Sequence, residues 1–368
     1  MYDFLSLSPE RVRSGIGAAS LLPEEVARVG GSRALIITGN TLANKTGLAQ
    51  RLADQLGKQC VGVFDGSKQH VLASSVDAAV AEADRTRADV LISFGGGSPI
   101  DTAKMVAYKR LQAGAPVPPH IAVPTTLSAG EFTHAAGMTD DTTRVKGVYF
   151  DIQLMPRTVI LDPELTVETP EWLWGATGLR AMDHAVEAVW AKPPHPLVST
   201  LALRAAHDLR ENLPRSRDVG DLELRLHCQH AAWMSIFGLL NLGLRLTHPI
   251  GHQLGARFDI PHGVTSCVVL PEAMRFFAER TTREQAQLAE AFGVAQKSDA
   301  ASAAAAADAI EQLVKDLSLP GRLSDTSARK DELADVARSI AEELREFNSP
   351  DTDLATAEAL EGLLRKVW

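Results

Sequence analysis

Residues 90–101, VLISFGGGSPID, join a strand-like apolar run to a helix-like pattern through three consecutive glycines, Gly95, Gly96 and Gly97. Glycine adopts backbone conformations closed to other residues and lets the chain approach a ligand closely. We expect Ser98 to cap the helix, with Pro99 at its first position and Asp101 three residues after the cap. The free amide groups at such a helix start could cradle a pyrophosphate, or the stretch could be a capped turn without a ligand. The local pattern leaves both open.

Short apolar runs on either side of this turn predict further buried strands, separated by amphipathic helix patterns. The strand-like runs are residues 34–38, 60–64, 90–94, 120–123 and 158–161, and the helix patterns include residues 41–56 and 73–86. Alternating strands and helices predict an α/β domain with a parallel sheet and helices on its faces. Ligands of such sheets lie beyond the carboxyl ends of the strands.

The pattern changes after Asp162-Pro163, because the rest of the chain contains few strand-like runs and many helix formers. Residues 300–315, for example, include five consecutive alanines and carry helical apolar spacing. We therefore expect two domains, an α/β domain over residues 1–162 and an all-α domain over residues 163–368. A cleft between two such domains is the default place for a ligand site.

The composition excludes several classes of protein. The chain has 368 residues with 46 acidic and 37 basic side chains, and its formal net charge of −9 disfavours nucleic-acid binding. The apolar runs are far shorter than the roughly 20 residues of a membrane span, and the first residues lack a secretion signal. Three cysteines without metal-type spacing suit a reduced compartment. We expect a cytoplasmic globular protein that binds neither nucleic acid nor membrane.

Two other turns follow predicted strands and carry small polar residues. Thr38-Gly39-Asn40 ends the first strand, and residues 124–131, PTTLSAGE, follow a later one. Hydroxyls and glycine at the carboxyl end of a strand suit ribose and phosphate contacts, although capped loops have the same composition.

Eight of the eleven histidines lie between residues 184 and 262. His248 and His252 share a helix face if that stretch is helical, His184 follows Arg180 by four residues, and His262 lies in a turn-like Pro-His-Gly. A single histidine is usually structural, whereas several at such positions suggest a site.

Five segments together resemble the iron-containing (group III) alcohol dehydrogenases, in order and in spacing. They are GGGSPIDTAK (95–104), PTTLSAGEFT (124–133), ILDPELT (160–166), GLRAMDHAVEA (178–188) and HPIGHQLGARFDIPHGV (248–264). The resemblance implies a Rossmann-like dinucleotide-binding domain, a helical catalytic domain and NAD(P)(H)-dependent redox chemistry. It also implies an oligomer, most often a homodimer.

The resemblance assigns roles residue by residue. It implies a phosphate cradle at Gly95, Gly96, Gly97 and Ser98, with further cofactor contacts at Thr125, Thr126 and Ser128. From the turns themselves we also expect Gly39, Asn40 and Asp101 to lie at the cofactor. Lys146 resembles a lysine that approaches cofactor or substrate. The three histidine ligands of metal-binding members fall on His184, His248 and His262, and His252 matches a histidine beside the nicotinamide.

One departure from the family pattern concerns the metal. The aspartate ligand four residues before the first histidine is Arg180 here. A guanidinium has only donors and its charge repels a dication, and Asp183 points about 100° away from His184 around a helix. We therefore expect no metal. The maleylacetate reductases form a metal-free branch that also lacks this aspartate, and residues 145–166 look especially similar to them.

The sequence hypothesis is a metal-independent NADH- or NADPH-dependent reductase of maleylacetate, a dicarboxylic oxo acid of aromatic-compound catabolism, to 3-oxoadipate. Arg180 would bind substrate carboxylate or enolate, and His252, His248 or His262, protonated, would hold the oxyanion and donate a proton. Alternatively, Arg180 is a surface arginine paired with an acid such as Asp183. Because Gly39 replaces the family's ribose-binding aspartate, we expect NADP(H) to be at least tolerated.

Three alternatives remain open at this stage. The first is a metal-dependent alcohol dehydrogenase of the same superfamily with a distorted iron or zinc site. The second is a sugar-phosphate cyclising lyase, which would need a metal and so meets the same objection from Arg180. The third is a non-catalytic nucleotide-binding relative, against which the retained histidines weigh.

Overall fold

A computed structural model describes residues 4–143, 145–243, 245–346 and 349–368. These residues fall into two compact units. One, the α/β unit, contains Ser6–Pro170 and Val219–Gln229, and the other, the helical unit, contains Glu171–Asp218, His230–Trp368 and the start of the described chain up to Leu5. The domain boundary expected near residue 162 stays a prediction.

The α/β unit is built on a six-stranded parallel sheet and a separate antiparallel hairpin. The strands are β1 (Arg11–Ser14), β2 (Ala34–Ile37), β3 (Cys60–Phe64), β4 (Val90–Gly95), β5 (His120–Pro124), β6 (Ala135–Thr139), β7 (Lys146–Phe150) and β8 (Thr158–Leu161). The sheet has the order β1-β8-β5-β4-β2-β3, and β6 pairs with β7. All five predicted strands are present, so the predicted α/β fold with a parallel sheet is confirmed.

The helices of the α/β unit lie between these strands. They are α1 (Leu22–Arg28), α2 (Asn40–Asn44), α3 (Leu48–Leu56), α4 (Ala73–Arg85) and α5 (Gly97–Gln112). The prediction of one helix over residues 41–56 was wrong, because Gly47 adopts a φ of +73° and separates α2 from α3. The predicted cap of α5 was also wrong: the helix begins at Gly97 with Gly96 as its N-cap, so Ser98 lies inside the first turn.

The order of the strands places one end of the sheet in position to bind a ligand. From β2 the chain continues to β3 on one side, whereas β4 pairs with β2 on the other side. Ligands of open α/β sheets bind outside the carboxyl ends of the strands at such a reversal. The turns that follow β2 and β4 both lie at this end of the sheet.

The remaining helices lie in the helical unit, as the sequence predicts, except for residues 222–229 at the start of one of them. They are α6 (Glu171–Val189), α7 (Pro196–Asn212), α8 (Leu222–Ile236), α9 (Thr247–Phe258), α10 (His262–Phe277), α11 (Thr282–Ala291), α12 (Asp299–Asp316), α13 (Leu333–Glu346) and α14 (Ala357–Lys366). Helix α6 is buried from Trp174 to its end and packs against α7 and α10. None of the helices in the described part of the chain is long and apolar enough to cross a membrane.

Helix α8 begins among residues assigned to the α/β unit and ends in the helical unit. Its buried Arg225 lies in the part assigned to the α/β unit. The guanidinium donates from Nε to Thr166 Oγ1 at 2.7 Å and from Nη2 to the Thr166 carbonyl at 2.8 Å. Segment 219–229 is therefore bonded to a turn more than fifty residues earlier in the chain.

Candidate active site

The glycine turn after β4 has a shape that only glycine permits at its first position. Gly95 adopts a φ of +138°, and a Cβ atom there would lie 2.9 Å from Pro99 Cγ and 3.2 Å from Leu42 Cδ1. This backbone conformation is strained for any residue with a side chain.

The next two glycines lie against the polar turn that follows β5. A Cβ atom on Gly96 would lie 3.0 Å from Thr126 Cγ2, and one on Gly97 would lie 3.5 Å from Ser128 Oγ. The amide of Thr125 donates to the Gly95 carbonyl at 2.9 Å, which holds the two turns together. The structure therefore brings together the glycines, Thr125, Thr126, Ser128 and the start of the 16-residue helix α5. A surface of small residues at a helix N-terminus fits a nucleotide's phosphates.

Asp101 and Lys146 lie close together beside the hairpin. The carboxylate of Asp101 accepts a hydrogen bond from the amide of Gly137 at 3.1 Å. The side chain of Lys146 crosses from β7 over Gly137, because a Cβ atom there would lie 2.2 Å from Lys146 Cε. Burial raises the pKa of Asp101, and the charges of Lys104 and Lys146 oppose that rise.

A carboxylate that the sequence argument missed lies next to the Gly39 turn. Gly39 and Gly66 form an antiparallel bridge, which brings the end of β2 beside the residues that follow β3. Asp65 Oδ2 accepts from Asn44 Nδ2 at 2.8 Å and from Asn40 Nδ2 at 3.5 Å. The absence of an acid at position 39 is thus partly offset by an acid from the neighbouring strand. The signal available in the sequence was an acidic residue directly after β3, the second of the predicted strands.

In the helical unit, the four histidines singled out from the sequence form one continuous row. The ring centroids are 5.4 Å apart between His184 and His248, 6.5 Å between His248 and His252, and 5.6 Å between His252 and His262. Helices α6, α9 and α10 supply these side chains. Gly251 allows the close approach of α9 and α10, since a Cβ atom there would lie 3.3 Å from His262 Nδ1.

Arg180 is buried in the helical unit and is not on the surface. Only 8% of the residue is exposed, and its Nη1 donates to Asp183 Oδ2 at 2.9 Å and to Ser266 Oγ at 3.3 Å. The alternative prediction of an exposed arginine paired with Asp183 was therefore wrong, because Arg180 is buried, although the two residues do pair. The hydroxyls of Ser266 and Thr247 each donate to Asp183 at 2.7 Å.

The first two histidines of the row lie in an environment that disfavours their protonated forms. Burial lowers the pKa of both His184 and His248 well below its usual value, and the guanidinium of Arg180 lowers it further. His248 Nδ1 lies 2.5 Å from Oε2 of the fully buried Glu187. A protonated His248, one of the options from the sequence, is therefore disfavoured.

His252 has a different environment from His248, four residues earlier on the same helix. Its Nδ1 lies 2.6 Å from Glu343 Oε1, and Glu343 Oε2 accepts from Gln253 Nε2 at 2.7 Å. The His252 and Glu343 side chains are 15% and 11% exposed, against 8% and 0% for His248 and Glu187. Glu187 lies three residues after His184 on α6, and this helical spacing was a signal in the sequence that Glu187 belongs to the site. Glu343 is 91 residues from His252, so no local spacing indicates their contact.

The donor set around the row does not fit a metal ion. Within the ranges that the structure describes, no three His, Cys, Asp or Glu side chains are grouped as metal ligands. The Arg180 cation is bonded within the same network, and its charge opposes a dication beside these imidazoles.

Comparison with known proteins identifies relatives over almost the whole chain. Residues 9–163 match the family described as iron-containing alcohol dehydrogenase, and residues 175–368 match the C-terminal domain of the Fe-containing alcohol dehydrogenase family. Maleylacetate reductase 2 of Cupriavidus pinatubonensis is 34% identical over 77% of each chain. NAD-dependent methanol dehydrogenase of Bacillus methanolicus is 30% identical over 91% of this chain and 93% of its own. The crystal structure of maleylacetate reductase from Agrobacterium tumefaciens aligns with a TM-score of 0.82 and 27% identity, over 100% of this chain and 99% of its own.

Proposed function

The chain belongs to the iron-containing alcohol dehydrogenase family and is an NAD(P)-dependent oxidoreductase, and we propose that it reduces maleylacetate or a similar oxo acid without a metal ion. Curated relatives named maleylacetate reductase support the choice of substrate, at 33–34% identity over 77–80% of this chain. The product of maleylacetate reduction would be 3-oxoadipate.

The observation that carries this proposal is the arrangement of hydrogen bonds around Arg180. Both described hydrogen bonds of its guanidinium use Nη1. Nε and Nη2 make no hydrogen bond to the residues that the structure describes. These two nitrogens form the edge of a guanidinium that binds a carboxylate or enolate with two parallel hydrogen bonds. A dicarboxylic oxo acid offers both groups.

Arg180 also supports the absence of a metal from the reaction. The guanidinium of Arg180 is buried within hydrogen-bond distance of Asp183. Its positive charge repels a dication placed beside the same imidazoles, and burial strengthens this repulsion. In this interpretation the guanidinium takes over the stabilisation of negative charge that a Lewis acid provides elsewhere.

The proposed reaction adds one hydride and one proton to the substrate. Maleylacetate, NAD(P)H and one proton give 3-oxoadipate and NAD(P)⁺. When bound, NAD(P)H would supply a hydride to the carbon β to the ketone, and this addition would leave an enolate. Arg180 stabilises the enolate oxygen through Nε and Nη2, and an imidazole of the histidine row donates the proton that completes the product.

The test is turnover of maleylacetate by purified protein that has been treated with chelator and analysed for metals. We expect oxidation of NADH or NADPH at a rate that chelation and added Fe²⁺ or Zn²⁺ leave unchanged. Absence of turnover with either cofactor would reject the substrate. Stoichiometric iron or zinc together with chelator-sensitive oxidation of a small alcohol would instead establish a metal-dependent alcohol dehydrogenase.

A further inference from the structure

Helix α9 supplies the histidines of two histidine–carboxylate pairs, and the second pair is the more exposed to solvent. His248 pairs with the fully buried Glu187 on α6, and His252 pairs with the partly exposed Glu343 on α13. We propose that Glu343 is a positioning residue that holds His252 through Nδ1, so that His252 Nε2 delivers the proton required by the reduction. This inference rests on the proposed function for the identity of the reaction.

The other members of the row are poorly suited to carry the proton. His184 and His248 are buried in the network that holds the Arg180 cation, and His248 is paired with the fully buried Glu187. His262 is the first residue of α10, where the positive end of the helix dipole disfavours a protonated imidazole. His252 lies in the interior of α9, away from both helix ends and against a carboxylate.

The carboxylate of Glu343 is held by two consecutive residues of α9. Glu343 Oε1 lies 2.6 Å from His252 Nδ1, and Glu343 Oε2 accepts a hydrogen bond from Gln253 Nε2 at 2.7 Å. A carboxylate fixed in this way selects the tautomer with the proton on Nδ1 and stabilises the imidazolium. Gln253 therefore helps to orient the Glu343 carboxylate, and this carboxylate in turn orients the His252 ring.

The groups that face His252 include one carboxylate and two further imidazoles. Glu343 approaches from α13, His262 from α10, and His248 from the preceding turn of α9. Of these, Glu343 is the one that can carry a negative charge. Its removal should therefore destabilise the protonated form of His252.

The first test follows His252 itself and needs no substrate. Protein labelled with ¹⁵N-histidine, with the His252 signals assigned by loss in His252→Gln, is titrated as wild type and as Glu343→Gln. We expect the wild-type ring to hold its proton on Nδ1 when neutral, and Glu343→Gln to titrate about one pH unit lower with a mixture of tautomers. An unchanged midpoint and tautomer would overturn the proposal.

The second test uses kinetics. Glu343→Gln should lower kcat roughly 10- to 100-fold. The dissociation constant for NADH, measured by its fluorescence, should stay at the wild-type value. The alkaline limb of the pH profile should move to lower pH, and Glu343→Asp should restore part of the rate. Wild-type kcat in Glu343→Gln would contradict the inference.

The neighbouring Glu342 provides the matched control. It is exposed on the same turn of α13, and Glu342→Gln makes the same chemical change without touching α9. We expect wild-type kinetics and an unchanged His252 titration. If the wild-type protein fails to reduce maleylacetate, the proposed function falls, while the ¹⁵N titration still decides whether Glu343 governs His252.

Discussion

The glycine turn of the α/β unit and the histidine row of the helical unit are built by opposite means. Around Gly96 the surface consists of backbone and small hydroxyl side chains, and its shape depends on the lack of a Cβ atom at the glycines. Around Arg180 the helices bury a cation together with Asp183 and Glu187, so the arrangement depends on matched charges. The first region should therefore be sensitive to added volume, and the second to lost charge.

The largest expected effect comes from removing the counter-ion of Arg180. Asp183→Ala leaves a buried guanidinium without its carboxylate, so the free energy of unfolding should fall by about 3–5 kcal/mol. Urea unfolding followed by circular dichroism measures this change. The double variant Arg180→Met/Asp183→Ala removes both charges and should recover most of the loss.

The control for that experiment is an ion pair on the surface. Glu361 accepts from Arg365 one turn later in α14, and both side chains are partly exposed. Glu361→Ala should change the free energy of unfolding by less than about 0.5 kcal/mol. Equal losses in Asp183→Ala and Glu361→Ala would remove the contrast between the two regions.

The second-largest effect concerns a buried acid in the α/β unit. Burial raises the pKa of Glu131 from 4.5 to about 7, and its Oε2 has no hydrogen-bond partner among the described residues. The folded protein holds this proton more tightly than the unfolded chain, so its contribution to stability is present below pH 4.5 and is lost as pH rises to 7. That loss should be about 3 kcal/mol.

Glu131→Gln removes the titrating group and keeps the shape of the side chain. Between pH 4.5 and 7 the free energy of unfolding of the variant should fall less steeply with pH than that of the wild type. Denaturant titrations at pH 4.5, 6 and 8 measure the two slopes. Parallel curves would show that Glu131 does not titrate in this window.

A smaller effect tests the sensitivity of the glycine turn to volume. Gly96→Val places methyl groups against Thr126, where a Cβ atom alone would already lie 3.0 Å away. The affinity for NADH should fall about tenfold or more, which corresponds to about 1.4 kcal/mol. Gly130→Ala is the control, since its Cβ atom would make only ordinary contacts at 3.9 Å. Equal NADH affinities in the two variants, measured by calorimetry, would refute a phosphate cradle at this turn.

The smallest effect concerns the carboxylate of Asp65 beside the Gly39 turn. Asp65 should repel the 2′-phosphate of NADPH without preventing its binding, because the side chain is only half-buried. Asp65→Asn should improve the ratio of NADPH to NADH affinity by roughly threefold to tenfold. Asp54→Asn, on the exposed face of α3, removes the same charge and should leave the ratio unchanged.

Much of the fold was accessible from local sequence patterns. The β2, β4 and β5 strands are apolar apart from Ser93 and His120 because they are buried on both faces, and such runs are easily recognised. Strand β1, with the sequence RVRS, was missed because an edge strand exposed to solvent has no apolar pattern. The cap at Gly96 was mispredicted because Ser98 is the better cap by composition, whereas the packing of the turn against Thr126 decides where the helix begins.

The candidate site was accessible only in part. The four histidines were found by spacing and by resemblance, because their positions along α6, α9 and α10 follow from the sequence. Their partners were not, since the contacts of His252 with Glu343 and of Arg180 with Ser266 join residues more than 80 positions apart. Local periodicity carries no information about such pairs. The burial of Arg180 likewise follows only from the packing of α6.

The hydrogen bonds between Arg225 and Thr166 matter for making chimeras, in which one unit of this protein is replaced by the corresponding unit of a relative. A gene fragment that ends at Pro170 encodes the whole parallel sheet but omits segment 219–229, which the contacts assign to the same unit. Such a fragment would lack the guanidinium that binds Thr166. Chimeras made by a single crossover would combine Thr166 from one parent with Arg225 from another. Recombination between distant relatives therefore requires two joints, with segment 219–229 transferred together with the sheet.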